Sequence, residues 1–190
     1  MDGHRIFRLL TLVAFLATYV TMLLGGNVMA SDSGLACPDW PTCHGSLSVP
    51  WSGSVGIEWS HRVSALVLSV LIVALALVGL FAEARRPVLR NLALGALGLV
   101  VAQALLGGLV VRSDLSVPIV LAHFTLATLL FALLLVLAAL AHLKEVPKRW
   151  IDWARAASTE SAPAEVGGAP AREIDRLPAI ARAAPSPWDR

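Results

Sequence analysis

Two histidines, His61 and His123, interrupt long apolar stretches of a 190-residue chain, and Glu58 precedes the first of them by three positions. Ionisable side chains inside a membrane are costly and by default mark a site. Two imidazoles at one level can share a metal or hydrogen-bond between helices. The Glu58-x-x-His61 spacing puts both side chains on one helix face, about 5–6 Å apart at Cβ. There a carboxyl can move a proton or stabilise charge, or it can be a helix-start carboxylate favoured by the dipole. The motif lacks the second histidine one turn away that a zinc protease needs. Cys37 and Cys43 are separated by five residues that include Pro38 and Pro41. Outside the cytoplasm a pair this close is most simply a disulfide. A reactive surface dithiol is the alternative, and zinc binding with His44 the third, although two thiolates and one histidine leave a structural site one ligand short.

These residues need elements to hold them, and the composition says which. Hydrophobic side chains make up 57% of the chain and charged ones 15%, with mean hydropathy +0.73. That exceeds the roughly 45–50% apolar content of a soluble domain. The net charge of +2 includes no basic patch for nucleic acid. Four apolar runs stand out, at 9–28, 63–82, 91–111 and 115–143. About 20 residues of helix cover the ~30 Å hydrocarbon core, and the runs are too long for barrel strands. The expectation is an all-α membrane protein, a four-transmembrane-helix bundle over 1–150, followed by a disordered cytoplasmic tail over 151–190 that is rich in Ala, Pro, Gly, Ser and balanced charge. A short helix at 171–183 is compatible with that tail. No sequence repeat between the first and second helix pairs is evident.

Orientation follows from the positive-inside rule. Arg5 and Arg8 precede the first run, Arg85, Arg86 and Arg90 separate the second and third, and Lys144, Lys148 and Arg149 follow the fourth. Between Arg8 and Arg62 there is neither Lys nor Arg. Both termini are therefore predicted cytoplasmic, with the cysteine loop outside the plasma membrane. Trp51 and Trp59 are expected at the outer boundary, Trp150 and Trp153 at the inner one. The first run has a rival reading as a cleaved signal peptide ending at Val28-Met29-Ala30.

If the second helix begins near Ile57 and the fourth near Pro118, each histidine lies four or five residues in, about 6–8 Å below the outer helix end. Both helices run the same way, so the imidazoles can meet at one depth. Such a pair suits the axial positions of a haem iron, with the porphyrin edge-on between helices. The bland alternative is two interhelical hydrogen-bonding histidines. Arg62 and Arg112 are placed to meet haem propionates or simply to snorkel to the interface. Gln103, with Gly107 and Gly108, lines the pocket or lets helices approach, close packing being favoured for the glycines. His142 is about 28 Å from His123 along one helix, out of reach. His4 and His44 fall in exposed segments.

The run Ser33-Gly34-Leu35-Ala36-Cys37-Pro38-Asp39-Trp40-Pro41-Thr42-Cys43-His44-Gly45, followed by Ile57-Glu58-Trp59-Ser60-His61-Arg62, resembles the haem A synthase family. Gln103-Ala104-Leu105-Leu106-Gly107-Gly108 and Ala122-His123 add to the likeness, which covers about residues 10–142. The resemblance implies conversion of haem O to haem A by oxidation of the porphyrin C8 methyl to a formyl group, for terminal oxidases. It implies paired haem-ligating histidines at His61 and His123, an essential glutamate at Glu58 and an outer-loop cysteine pair at Cys37 and Cys43. Haem O is then the substrate, haem b a further cofactor, and haem O synthase or oxidase-assembly proteins the implied partners. The usual member has two such bundles in tandem, whereas this chain resembles the first half, and a homo-oligomer would rebuild the missing partner. Asn27-Val28-Met29-Ala30 stands where many relatives carry Arg or Lys before the Ser-Gly-Leu motif. A bis-His membrane cytochrome b for electron transfer, or a non-catalytic haem-binding assembly subunit, are the rival functions.

Overall fold

A computed structural model describes residues 2–143. The expected tail, its helical piece and Trp150 and Trp153 lie outside the described residues. Four helices follow in order: α1 (Gly3–Ala30), α2 (Gly53–Ala82), α3 (Pro87–Arg112) and α4 (Val117–His142). All four are long and apolar enough to cross a membrane, and among the described residues the only pairing outside helices is the isolated bridge between Cys43 and Ser46. The chain is a multi-pass all-α membrane protein, because only helices or closed barrels satisfy backbone polar groups in lipid.

Each helix packs against two neighbours, α1 with α2, α2 with α3, α3 with α4 and α4 with α1, which leaves α2 and α4 on one diagonal. The four-residue turns 83–86 and 113–116 force antiparallel neighbours, and Gly3 lies against Ala82 across the α1–α2 pair. So α2 and α4 run parallel, as their common diagonal requires. Pro87 and Pro118 sit in the first turns of α3 and α4, where a missing N–H costs nothing and φ is already helical. The second helix begins at Gly53, a turn before the expected Ile57. His61 is thus eight residues from its helix start and His123 six from Val117, about 12 and 9 Å along the axes.

The half of the bundle holding the N-terminus is packed solid. Phe7, Leu68, Ile72, Leu75, Leu89, Leu130, Leu134 and Leu137 interdigitate there with the small residues Ala14, Ala93, Ala96 and Ala141. In lipid the driving force is close packing, which small residues at helix interfaces permit. Thr18 and Thr21 return their hydroxyls to the carbonyls of Ala14 and Ala17, so neither leaves a polar group unpaired in the interior.

The buried positions reveal a repeat that the sequence reading did not find. Residues of α1 and α3 correspond at an offset of 82: Phe7 with Leu89, Thr11 with Ala93, Ala14 with Ala96 and Thr18 with Val100 are all buried. The register continues through Gly25-Gly26 and Gly107-Gly108 to Ser31-Asp32 and Ser113-Asp114, where each Asp takes a left-handed backbone at φ 51° and 50°. Both helix ends close with the same backbone hydrogen bonds, Ser31 to Asn27 and Ser33 to Val28 matching Ser113 to Leu109 and Leu115 to Val110. Residues of α2 and α4 correspond at an offset of 62, pairing buried Leu68, Ile72, Leu75 and Ala76 with Leu130, Leu134, Leu137 and Ala138. That same offset pairs His61 with His123. The two offsets differ because the 31–52 loop is far longer than its counterpart 113–116.

Candidate functional site

Beyond the solid half, the bundle opens into a cavity of about 740 Å3 towards the loop end. This is within the ~300–1,000 Å3 range of small-molecule pockets. Leu68, Val100 and Leu130 form its floor, His61 and His123 enter from opposite helices, and Trp40, Pro41, Leu47 and Trp51 of the loop cover it.

Each histidine is supported by the preceding helix of its own repeat. His61 Nδ1 lies 3.2 Å from the Thr21 carbonyl oxygen. A carbonyl can only accept, so Nδ1 carries the proton and Nε2 keeps its lone pair, the tautomer a metal-ligating histidine needs. Gly25 makes room for that ring: a Cβ there would sit 2.9 Å from His61 Cε1. At the equivalent place Gly107 lies against His123, with a Cβ falling 3.2 Å from its Cε1. Here the support is a side chain. Gln103 Nε2 donates to the His123 carbonyl at 3.0 Å and approaches its Nε2 at 3.3 Å. Among the described residues, Gln103 Oε1 and His123 Nδ1 are two of three buried side-chain polar atoms without a partner, Arg8 Nε being the third. Orphaned polar atoms are rare in interiors, and two of the three lie on residues lining this one cavity.

Glu58, 3% exposed, is not a solvated helix-start carboxylate. Its Oε2 accepts the Cys37 backbone N–H at 2.7 Å and its Oε1 accepts Arg62 Nη2 at 2.5 Å. Arg62 also donates to the carbonyls of Asp39, Thr42 and Cys37 at 2.5, 2.6 and 2.8 Å. One guanidinium thus holds the loop over the cavity and neutralises the carboxylate beneath it. Arg112 is exposed at the C-terminal end of α3 and does not line the cavity.

Cys37 and Cys43 form a disulfide. Both are buried against Trp59, which is therefore a loop anchor, 6% exposed, and not the boundary ring the sequence led us to expect. His44 turns its Nε2 to the Ala36 carbonyl. Asp39 organises the rest of the loop: its carboxylate accepts the Thr42 hydroxyl and the N–H groups of His44 and Gly45. These bonds, the Thr42 hydroxyl first, hold its pKa down at about 2. Gly108 packs under the Trp40 indole and Gly107 under His123, so these glycines admit aromatic rings and not neighbouring backbone. Sequence reasoning missed Thr21, Gly25 and Trp40. The Gly25-Gly26 pair, repeated as Gly107-Gly108, is the sequence signal for Gly25.

The fold and the cavity define a class: a four-helix membrane bundle presenting two histidines from diagonal, parallel helices to one apolar, ligand-sized space. The family model for the cytochrome oxidase assembly protein COX15-CtaA matches residues 8–56 and 51–164, and the chain belongs to that family. It is similar to "Heme A synthase" of Geobacillus kaustophilus, 33% identical over 141 residues, which is 74% of this chain and 44% of that protein. The corresponding protein of Exiguobacterium sibiricum is 39% identical over 127 residues, covering 64% and 41%. "Protoheme IX farnesyltransferase 1" of Natronomonas pharaonis is 37% identical over 118 residues, 62% of this chain and 24% of that protein. The chain thus spans less than half the length of the relatives it matches.

Proposed function

We propose that this protein is a compact haem A synthase-type oxidoreductase that takes haem O between His61 and His123 and oxidises the C8 methyl to a formyl group. The observation that carries the reading is the shared cavity, with two pseudo-equivalent histidines, each backed by a glycine, and unpartnered polar atoms at Gln103 and His123. The residues present fit a haem. When bound, it supplies the redox chemistry, while the protein binds, orients and excludes water. His61 is oriented by Thr21, His123 by Gln103, and Glu58 stands at the cavity wall to hold or pass a proton. Arg62 holds the loop over the site, while Arg112, outside the cavity lining, snorkels to the interface. Membership of the family supports haem as the ligand. Both termini face the cytoplasm and the disulfide loop faces outward, as the distribution of Arg and Lys favours. A homo-oligomer would supply a second bundle. The similarity to part of a farnesyltransferase favours a haem O-producing enzyme as the working partner.

Co-expression with a source of haem O, followed by extraction and mass analysis of the bound pigment, tests the activity. Haem A or its hydroxylated intermediate is the expected product. Unchanged haem O would leave a non-catalytic haem-binding assembly subunit, and haem b alone a bis-His cytochrome b. One observation favours those second readings: both oxygens of Glu58 are already engaged, as a purely structural carboxylate's would be.

A further inference from the structure

The repeat gives the cavity two lateral seams, α2/α3 and α1/α4, and its two copies have made them chemically different. At the positions where α2 carries Glu58, Arg62 and Ser69, α4 carries Val120, Phe124 and Phe131. The first set is polar, and Arg62 ties that side to the loop. The second set is apolar. Phe131 stacks on Phe15 of α1 at 4.9 Å and meets Tyr19 at 6.3 Å, which closes the lower end of the α1/α4 seam. Above that aromatic stop, Met22, Met29, Val120, Phe124 and Ala127 line the cavity. Phe124 and Met29 also remain 38% and 39% exposed on the outer surface, so the cavity reaches the lipid along this seam. Leu66 and Ala104 are exposed lining residues on the other side, but there the wall above them is the Glu58–Arg62 pair.

Resting on the reading that haem O is the substrate, we infer that the α1/α4 seam is the subsite for its isoprenoid tail, with Met22, Phe124 and Ala127 setting the preference for a farnesylated over an unmodified porphyrin. A long flexible hydrocarbon needs an apolar slot continuous with lipid, and unbranched methionines adapt to such a shape. Placing the tail here sends it away from the charged wall, so the macrocycle is turned one way in a site whose two histidines are otherwise nearly equivalent.

The test is equilibrium titration of the full chain, purified in detergent and stripped of pigment, with protohaem IX and with haem O. The wild type should bind haem O about tenfold more tightly, the gain coming from close packing of the tail in the seam, since detergent already shields the tail from water. Ala127→Leu narrows the seam and Met22→Ala removes a contact without adding bulk; both should abolish the preference while protohaem IX still binds with a low-spin bis-His spectrum. Ala65→Leu, at the repeat-equivalent position in the α2/α3 seam, should keep it. Equal affinity for the two haems with an intact bis-His spectrum overturns the subsite alone, as would be seen if a lipid chain fills the seam. Loss of preference in Ala65→Leu in place of Ala127→Leu also overturns it. Failure of either haem to give that spectrum in the wild type removes the haem reading and the subsite together.

Discussion

The His61 ring is clamped between the Thr21 carbonyl, 3.2 Å from Nδ1, and the bare Cα of Gly25, one turn further along the same helix. A substituent at residue 25 therefore acts on the ring directly. Gly25→Leu is expected to displace the imidazole and lower haem retention several-fold in purified protein. Gly26→Ala, with nothing within 4 Å of the added Cβ, is the matched control and should retain haem normally. Equal retention in both variants would show that the ring does not depend on this contact.

Replacing either histidine tests the ligand pair itself. His61→Ala and His123→Ala should each lower haem content and abolish the low-spin spectrum. A spectrum unchanged from wild type in both would exclude them as axial ligands.

Glu58 and Arg62 form a buried pair whose remaining valences are satisfied by the loop. Removing one member of such a pair typically costs about 3–5 kcal/mol, because the other charge is left uncompensated. Arg62→Leu is thus expected to lower the detergent melting temperature and open the loop. Glu58→Gln keeps the shape but has one acceptor in place of two, so it loses one of the bonds from the Cys37 N–H and Arg62 while leaving both histidines in place; haem binding should survive while product formation stops. Normal turnover in Glu58→Gln would reduce this residue to a loop anchor.

Both cysteines are fully buried in the disulfide, so a maleimide should not label native membranes until reductant is added. Reduction is expected to lower stability by about 2–4 kcal/mol. Immediate labelling without reductant would contradict the bond.

Asp39 gives the loop an acid limit. Its pKa is depressed in the folded chain from 3.8 to about 2, so its contribution is complete above the higher value and lost as pH falls through the lower. Trp40, next to it in sequence, should change fluorescence between about pH 4 and pH 2. Asp39→Asn should flatten that transition, and an identical curve would assign it to another group.

Four spans, their alternation and the candidate residues were legible in the sequence because hydropathy and helix length are properties of consecutive residues. Local motif density likewise marked Cys37, Cys43, Glu58, His61 and Gln103. The repeat was hidden, since its helices correspond at two different offsets, the residues they share are mostly the Leu, Ala and Gly common to any apolar helix, and matched burial, as of Thr11 and Ala93, exists only once four helices have packed. Arg62 and Arg112 read alike in the sequence as basic residues near a span end. Folding separated them: the long loop brought three carbonyls to one guanidinium, beside the Glu58 carboxylate one turn earlier on its own helix, while the short turn after α3 brought no side-chain partner among the described residues to the other. Composition and period fixed which segments cross the membrane. Which face each histidine presents, and what stands behind it, was decided by packing between helices distant in the chain, because a hydrogen bond such as that from His61 to Thr21 joins residues forty positions apart.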